Sequence, residues 1–274
     1  MKVVITGGGT GGHIYPALSI AQALRDIDHY IELLFIGSSH GPEGELAREA
    51  GVPFKAIPSL PLTRALSLRN ARSLAMLAAG IPRARRILRE FAPDVAIGTG
   101  GYTTAAVLIA QRSLGGKIVI HEQNAVPGRT NRFLSIIADR VCVTFNSSAD
   151  YFSAKKVVVT GMPIRQEFAA LPEKIEARSR LGLKVDAFTI LVIGGSQGAR
   201  RLNELMFYAW PMLNDGATQV IHQVGDRNIE QARSFAGELG PLYRVESYVD
   251  TPLAMAAADL VVCRSGASTL AEIT

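Results

Sequence analysis

The feature that most restricts this chain is a junction it uses five times. A short apolar run rich in Val and Ile ends on glycine or polar residues and passes directly into a helix-forming stretch. KVVIT leads into GGGTGGH, DVAIG into TGGYTTA, KIVIH into EQN, FTILVI into GGSQGAR, and LVVC into RSGASTL. Strand–helix alternation of this kind predicts a parallel, doubly wound α/β sheet whose ligand loops lie at the C-terminal ends of the strands. Helices are expected from Pro16, from Glu43, over Thr103–Arg112 and over Arg129–Ile137. A second series follows VVVTGMPIR, with helices from Arg200, from Asn228 and from about Ser268, and a short strand at RVESYV.

Two Rossmann-like halves therefore share 274 residues, a length that suits two domains. Gly161 and Pro163 break the rhythm, so the boundary is expected there: residues 1–163 form one domain and 164–274 the other. The second half is short against a doubly wound domain of about 150 residues, and its last helix stops a turn or two after it starts. The sequence is expected to be cut short at its C-terminus, leaving the second domain incomplete.

The composition, 48% hydrophobic and 19% charged, supports buried cores and excludes a disordered chain. The N-terminus turns glycine-rich too soon for a signal peptide, and no run of about 18 apolar residues suggests a membrane span. Cys142 and Cys263 each sit in a strand-like apolar run, where a buried reduced thiol is expected rather than a disulfide or metal ligand. Charge is uneven: residues 1–163 hold 18 Lys and Arg against 11 Asp and Glu, whereas residues 164–274 hold 11 against 13. Eight basic and no acidic residues lie from Lys55 to Arg89, interleaved with leucine and not with aromatics. That favours an anionic membrane surface over nucleic acid as partner. Leu74, Leu77, Ile81 and Leu88 approximate one helical face among Arg72, Arg83, Arg85, Arg86 and Arg89. This is either an interfacial surface or a buried helix face with solvated arginines.

The junctions carry the chemistry. In GGGTGGH, glycines let the backbone approach a phosphate while the following helix offers free N–H groups, so an anion is expected there. A dinucleotide site would need an acid at the end of the second strand, and FIGS has none. His13 is the titratable side chain of the loop, and is either a general base near neutral pH or a brace for the turn. Gly100, Gly101 and the hydroxyls of Thr103 and Thr104 offer a second set of phosphate donors, unless the glycines serve only tight packing. After KIVIH, Asn124 is placed to bond sugar hydroxyls, with His121 and Glu122 either orienting neighbours or stabilising the loop. GGSQGAR repeats the first loop's logic with Ser196. At the last junction Ser268 and Thr269 suit donor contacts, and Glu272 either accepts from ribose hydroxyls or faces solvent.

Taken in order, GGGTGGHIYPALSIA, GTGGYTTA, HEQNAVPGRTNR, GMPIR, GGSQGAR and VCRSGASTLAEI resemble the MurG family across the whole chain. That family transfers N-acetylglucosamine from UDP-N-acetylglucosamine onto lipid I, giving lipid II for peptidoglycan. The resemblance implies a GT-B fold, two doubly wound domains facing a cleft, with the acceptor on the first and the donor mainly on the second. It implies that Thr10, Gly11 and Gly12 line the cleft, that His13 is the candidate base, and that Gly100, Gly101, Tyr102 and Thr103 form the acceptor diphosphate loop. Asn124 would touch the donor sugar, Arg165 and Ser196 the donor diphosphate, and Val249 the uracil. Ala267, Ser268, Thr269, Leu270 and Glu272 would hold the nucleotide, with Glu272 on ribose. The implied transfer is inverting, needs no cofactor or metal, and takes place peripherally on the cytoplasmic face of the bacterial plasma membrane. A related transferase with another lipid acceptor, or a nucleotide-sugar-binding protein without transfer, would use the same loops. A nicotinamide oxidoreductase fits least, for want of the ribose-binding acid.

Overall fold

The strand-like runs of the first half form one seven-stranded sheet in the computed structural model, which describes residues 1–60, 68–195 and 198–274. Its strands are β1 (Lys2–Thr6), β2 (Glu32–Ser38), β3 (Phe54–Ile57), β4 (Val95–Gly98), β5 (Lys117–Glu122), β6 (Arg140–Val143) and β7 (Val157–Val159). They lie in the order β3-β2-β1-β4-β5-β6-β7 and every pairing is parallel. The helices are α1 (Gly11–Ile27), α2 (Glu43–Glu49), α3 (Leu68–Phe91), α4 (Tyr102–Ser113), α5 (Arg129–Leu134) and α6 (Asn146–Ala149). Alternate residues of each strand face opposite sides. Val3, Ile5, Leu33 and Phe35 pack with Ile14, Ala17 and Ala21 of α1 on one face. Val4, Leu34, Ile118 and Ile120 pack with Leu88 of α3 and Val107 and Leu108 of α4 on the other.

The second half repeats this on a smaller scale. Strands β8 (Phe188–Ile193), β9 (Thr218–Gln223), β10 (Tyr243–Glu246) and β11 (Leu260–Cys263) form a parallel sheet in the order β10-β9-β8-β11. Around it lie α7 (Lys174–Arg180), α8 (Arg200–Leu213), α9 (Ile229–Leu239), α10 (Thr251–Ala257) and α11 (Ala267–Ile273). The chain divides into Met1–Arg165 and Gln166–Thr274, so Arg165 closes the first unit.

Aspartates pin the strand starts in both units. Asp94 accepts from Lys2 N at 2.7 Å, Asp139 from Ile118 N at 2.8 Å and Asp259 from Thr189 N at 2.8 Å, each taking an N–H at the start of the neighbouring strand. Asp259 also pairs with Arg178 and, at 2.7 Å, with Lys174. Burial works against its charge, but the bonds from Lys174 and Thr189 and the charge of Arg178 hold its carboxyl below the ordinary carboxylate range.

Two expectations are corrected and one open alternative is decided. Helix α1 begins at Gly11 and runs through Pro16, because its first turn is glycine and shows no periodicity. Helix α5 stops at Leu134, short of Ile137. On α3, Leu77 and Ile81 pack against the core and Leu88 is 1% exposed, so this stripe is a buried face, while Arg83, Arg86 and Arg89 are exposed. The side chains of Arg72 and Leu74 lie outside the described residues.

In each sheet the strand order reverses at one place, between β1 and β4 and between β8 and β11. Loops leaving neighbouring strands on either side of such a reversal part to opposite faces and open a crevice. The glycine junctions found in the sequence occupy both reversals.

Candidate active site

In the first unit the two glycine loops are stitched together. Gly8 N donates to Gly100 O at 3.2 Å, and Thr99 Oγ1 donates to His13 O at 2.7 Å. Both loops require glycine: a Cβ on Gly7 would meet His13 O at 2.6 Å, and one on Gly101, at φ 91°, would meet Gly8 O at 2.4 Å. Around the junction lies a cavity of about 340 Å³ lined by Gly8, Gly9, Thr10 and His13, by Gly100, Gly101 and Tyr102, and by Glu122 and the Gly128–Asn131 stretch. Helix α1 points its N-terminus here, with no side chain capping it and no acid in its first turn.

His13 Nδ1 lies 3.0 Å from the Thr99 carbonyl oxygen. A carbonyl can only accept, so the neutral ring carries its proton on Nδ1 and presents a bare Nε2. That is the tautomer a general base requires.

Glu43, at the start of α2, is fully buried, and its Oε1 accepts from Gly9 N at 3.0 Å. Its Oε2 is buried without a hydrogen-bond partner. A carboxylate thus already holds an N–H of the first glycine loop. Burial foremost, and then the charge of Glu43, push the Tyr102 phenol above its ordinary value. The expectation that Thr103 and Thr104 offer their hydroxyls to a phosphate is corrected, because both residues are fully buried. Thr103 Oγ1 bonds Ser59 Oγ at 2.7 Å, and Thr104 Oγ1 donates to Gly100 O at 2.7 Å.

After β5, Glu122 organises the loop. Its Oε1 accepts from the backbone N and the Nδ2 of Asn124, both at 2.9 Å. Its Oε2 accepts from Gly128 N at 3.0 Å and Asn131 Nδ2 at 2.9 Å. Asn131 is 2% exposed, lines the cavity and leaves Oδ1 without a partner in the protein. His121 contacts Gly161 O at 3.0 Å and is buried, and burial lowers its pKa against the opposing effects of that bond and of Glu122. It is a brace for the loop.

In the second unit the β8 loop is equally tight. A Cβ on Gly198, at φ 70°, would meet Val224 O at 2.0 Å. Helix α8 follows with no side-chain cap and no acid in its first turn. Here the near charge is a cation: Arg264, leaving β11, brings Nη2 within 3.0 Å of where a Gly195 Cβ would stand. Helix α11 carries Ala267, Ser268, Thr269, Leu270 and Glu272, all at least partly exposed. Val249 is 6% exposed in the core with Leu191 and Ile221, and its N–H donates to Gln223 Oε1 at 3.3 Å, so its main-chain carbonyl is what remains to meet a base. Ser196 lies outside the described residues.

Of the residues singled out in the sequence of the first unit, Thr10, His13, Gly100, Gly101, Tyr102 and Glu122 share the cavity wall. Gly11, Gly12, Thr103, Asn124 and Arg165 are not part of it. Gly11 and Gly12 are the first turn of α1. Arg165 stacks its guanidinium over the Tyr15 ring at 4.7 Å. Glu43, Asn131 and Arg264 received no role from the sequence. Arg264 stood inside a quoted motif, and its position directly after a strand was the available signal.

The profile of the glycosyltransferase family 28 N-terminal domain matches residues 3–143, and that of the family 28 C-terminal domain matches residues 189–274. A curated relative from Alkaliphilus oremlandii (strain OhILAs) is 41% identical over 278 residues, covering 100% of this chain and 76% of its own length. It is named UDP-N-acetylglucosamine–N-acetylmuramyl-(pentapeptide) pyrophosphoryl-undecaprenol N-acetylglucosamine transferase. The crystal structure of Acinetobacter baumannii MurG is 28% identical with a TM-score of 0.69, covering 98% of this chain and 75% of that one. UDP-GlcNAc 2-epimerase from Neisseria meningitidis, solved with UDP-GlcNAc, is 12% identical over 97% of this chain and 78% of its own, with a TM-score of 0.67, a likeness of fold alone.

Proposed function

The chain belongs to the MurG family of glycosyltransferase family 28, with a GT-B fold, and from that premise we propose how its residues divide the reaction. The reaction is transfer of N-acetylglucosamine from UDP-N-acetylglucosamine to undecaprenyl-diphosphate-linked N-acetylmuramyl-pentapeptide, lipid I to lipid II, in peptidoglycan synthesis. His13 is the base. Its bare Nε2 accepts the proton of the muramyl 4-hydroxyl as that oxygen attacks the anomeric carbon. The bond to the UDP oxygen breaks, UDP leaves, and an α-linked donor gives a β-linked product. The observation that carries this reading is the 3.0 Å contact from His13 Nδ1 to the Thr99 carbonyl, which supports the tautomer needed.

The second unit takes the donor. Arg264 and the β8 loop with Ser196 meet the diphosphate, where fixed donors stabilise the leaving charge at no cost of reorganisation. Arg165, held by Tyr15, adds a cation there. The Val249 main chain meets uracil and Glu272 the ribose. Asn124, oriented by Glu122, touches the donor sugar. In the first unit the acceptor diphosphate is held by backbone N–H groups of Gly100, Gly101, Tyr102 and Thr103 and by the α1 start at Thr10, Gly11 and Gly12. The hydroxyls of Thr103 and Thr104 take no part.

Membrane attachment is peripheral, at the cytoplasmic face, through basic charge. Exposed Arg83 and Arg89 supply it, each worth about 1 kcal/mol near an anionic surface, whereas Arg86 is already paired with Glu90 at 3.0 Å. Among the described residues no helix is long and apolar enough to cross a membrane. Flotation with liposomes should therefore rise with anionic lipid and fall with salt, and attachment indifferent to both contradicts this part. Nucleic acid is not a partner. The transferase reading is tested with radiolabelled UDP-N-acetylglucosamine and a lipid I analogue. Label should enter the lipid fraction only when the acceptor is present, and label that stays in the donor overturns the reading.

A further inference from the structure

We infer that Gln223 is a positioning residue that sets the spacing between the diphosphate and base subsites, an inference that rests on the donor reading of the second unit. Gln223 ends β9, paired with Ile193 at the end of β8 and with Glu246 at the end of β10. The loops leaving both neighbouring strands therefore start beside it. It is 3% exposed, and each half of its amide is used. Nε2 donates to Gly195 O at 3.2 Å, and Oε1 accepts from Val249 N at 3.3 Å.

Partner chemistry fixes the orientation, since a carbonyl only accepts and a backbone N–H only donates. One planar amide thus ties the residue before Ser196 to the segment whose main chain meets uracil. A rigid amide makes that separation a constant of the protein. The binding cost of ordering the loops is then already met when a nucleoside diphosphate arrives. A ligand with both base and diphosphate gains from the fixed spacing, whereas a nucleoside alone gains nothing from it.

The two halves of the amide can be cut separately. Gln223→Glu keeps an acceptor for Val249 N and loses the donor to Gly195, and Gln223→Met removes both at similar volume. UDP and uridine are titrated calorimetrically into the wild-type chain and both variants, with thermal unfolding as the control for folding. The wild type should prefer UDP to uridine. In Gln223→Glu that preference should fall about tenfold, the scale of one buried hydrogen bond, with uridine affinity retained. In Gln223→Met the preference should fall at least as far and uridine affinity should drop as well. If Gln223→Glu does not fold, Gln223→Met alone decides by the same ratio. A folded variant that keeps the wild-type preference overturns the role of Gln223 and leaves the donor reading standing. A wild type with no preference for UDP removes the donor reading, and this inference with it.

Discussion

The two strand-order reversals are built alike and charged oppositely. In the first unit the β1 loop gives the N–H of Gly9 to a buried carboxylate, Glu43, and is bonded to the β4 loop through Gly8 and Gly100. In the second, the β8 loop has the guanidinium of Arg264 beside Gly195. A glycine turn before a helix is an anion site by default, yet what its neighbours add decides its use. A carboxylate on Gly9 keeps an anion off that one N–H, which leaves the acceptor diphosphate to the β4 loop and the α1 start and leaves His13 to meet a neutral hydroxyl. A cation at the second suits a diphosphate leaving group. The same sequence signature thus serves the acceptor and its base in one unit and the leaving group in the other.

The largest expected effect comes from breaking the chemical side. His13→Ala should lower kcat about 10²- to 10⁴-fold, the usual contribution of a general base, with the donor KM unchanged. Steady-state transfer with varied UDP-N-acetylglucosamine checks this.

Acid should separate the two units next. In the second, His222 is fully buried, with Nδ1 accepting from the Tyr243 hydroxyl at 2.7 Å and Nε2 donating to Asn203 Oδ1 at 3.1 Å. Burial pushes its pKa down to about 4. The unfolded chain, with an ordinary value of about 6.5, binds the proton first, so stability is complete above pH 6.5 and is lost as pH falls toward 4. The loss is about 3 kcal/mol, at 1.36 kcal/mol per pKa unit. In the first unit the pKa of the buried histidine, His121, is also lowered by burial, but its bond to Gly161 and the charge of Glu122 oppose the effect. The chain's single tryptophan, Trp210, is 1% exposed in the second unit's core and reports on that unit. Urea unfolding followed by its fluorescence should show a midpoint that falls steeply between pH 6.5 and 4.5. A flat midpoint contradicts the assignment.

Smaller effects sharpen the contrast. Glu43→Ala releases Gly9 and should cost about 10- to 100-fold in turnover, the range of a charge-assisted hydrogen bond, while leaving UDP affinity intact. Loss of UDP affinity in this variant would mean that the first loop serves the donor. Arg264→Gln should weaken UDP about tenfold, and by less in high salt, where the wild-type ion contact is already screened. Titration at two ionic strengths measures both.

Much of this was legible in the sequence because the strands are continuous Val and Ile runs and the glycines fall where a sheet hands over to a helix. What was not legible depends on distance along the chain or on direction. Glu43 meets Gly9 from 34 residues away, and no local pattern announces it. Thr103 and Thr104 look like phosphate donors until the helix they begin turns them onto Ser59 and Gly100. Leu77, Ile81 and Leu88 left a membrane face and a core face equally open, because a core-facing stripe and an interfacial stripe share one periodicity. Val249 sat in the expected segment with its side chain in the core, because it lies three residues past β10, outside any strand, where no alternation tells which way a side chain turns.

The most direct test crosses the two units in one assay. Turnover at saturating donor and UDP affinity are measured together for His13→Ala and Arg264→Gln. His13→Ala should lose turnover and keep UDP affinity, whereas Arg264→Gln should lose UDP affinity and, because it also stabilises the leaving charge, part of its turnover. If both variants lose both quantities in equal measure, the chemistry and the donor charge are not divided between these loops, and the account is wrong.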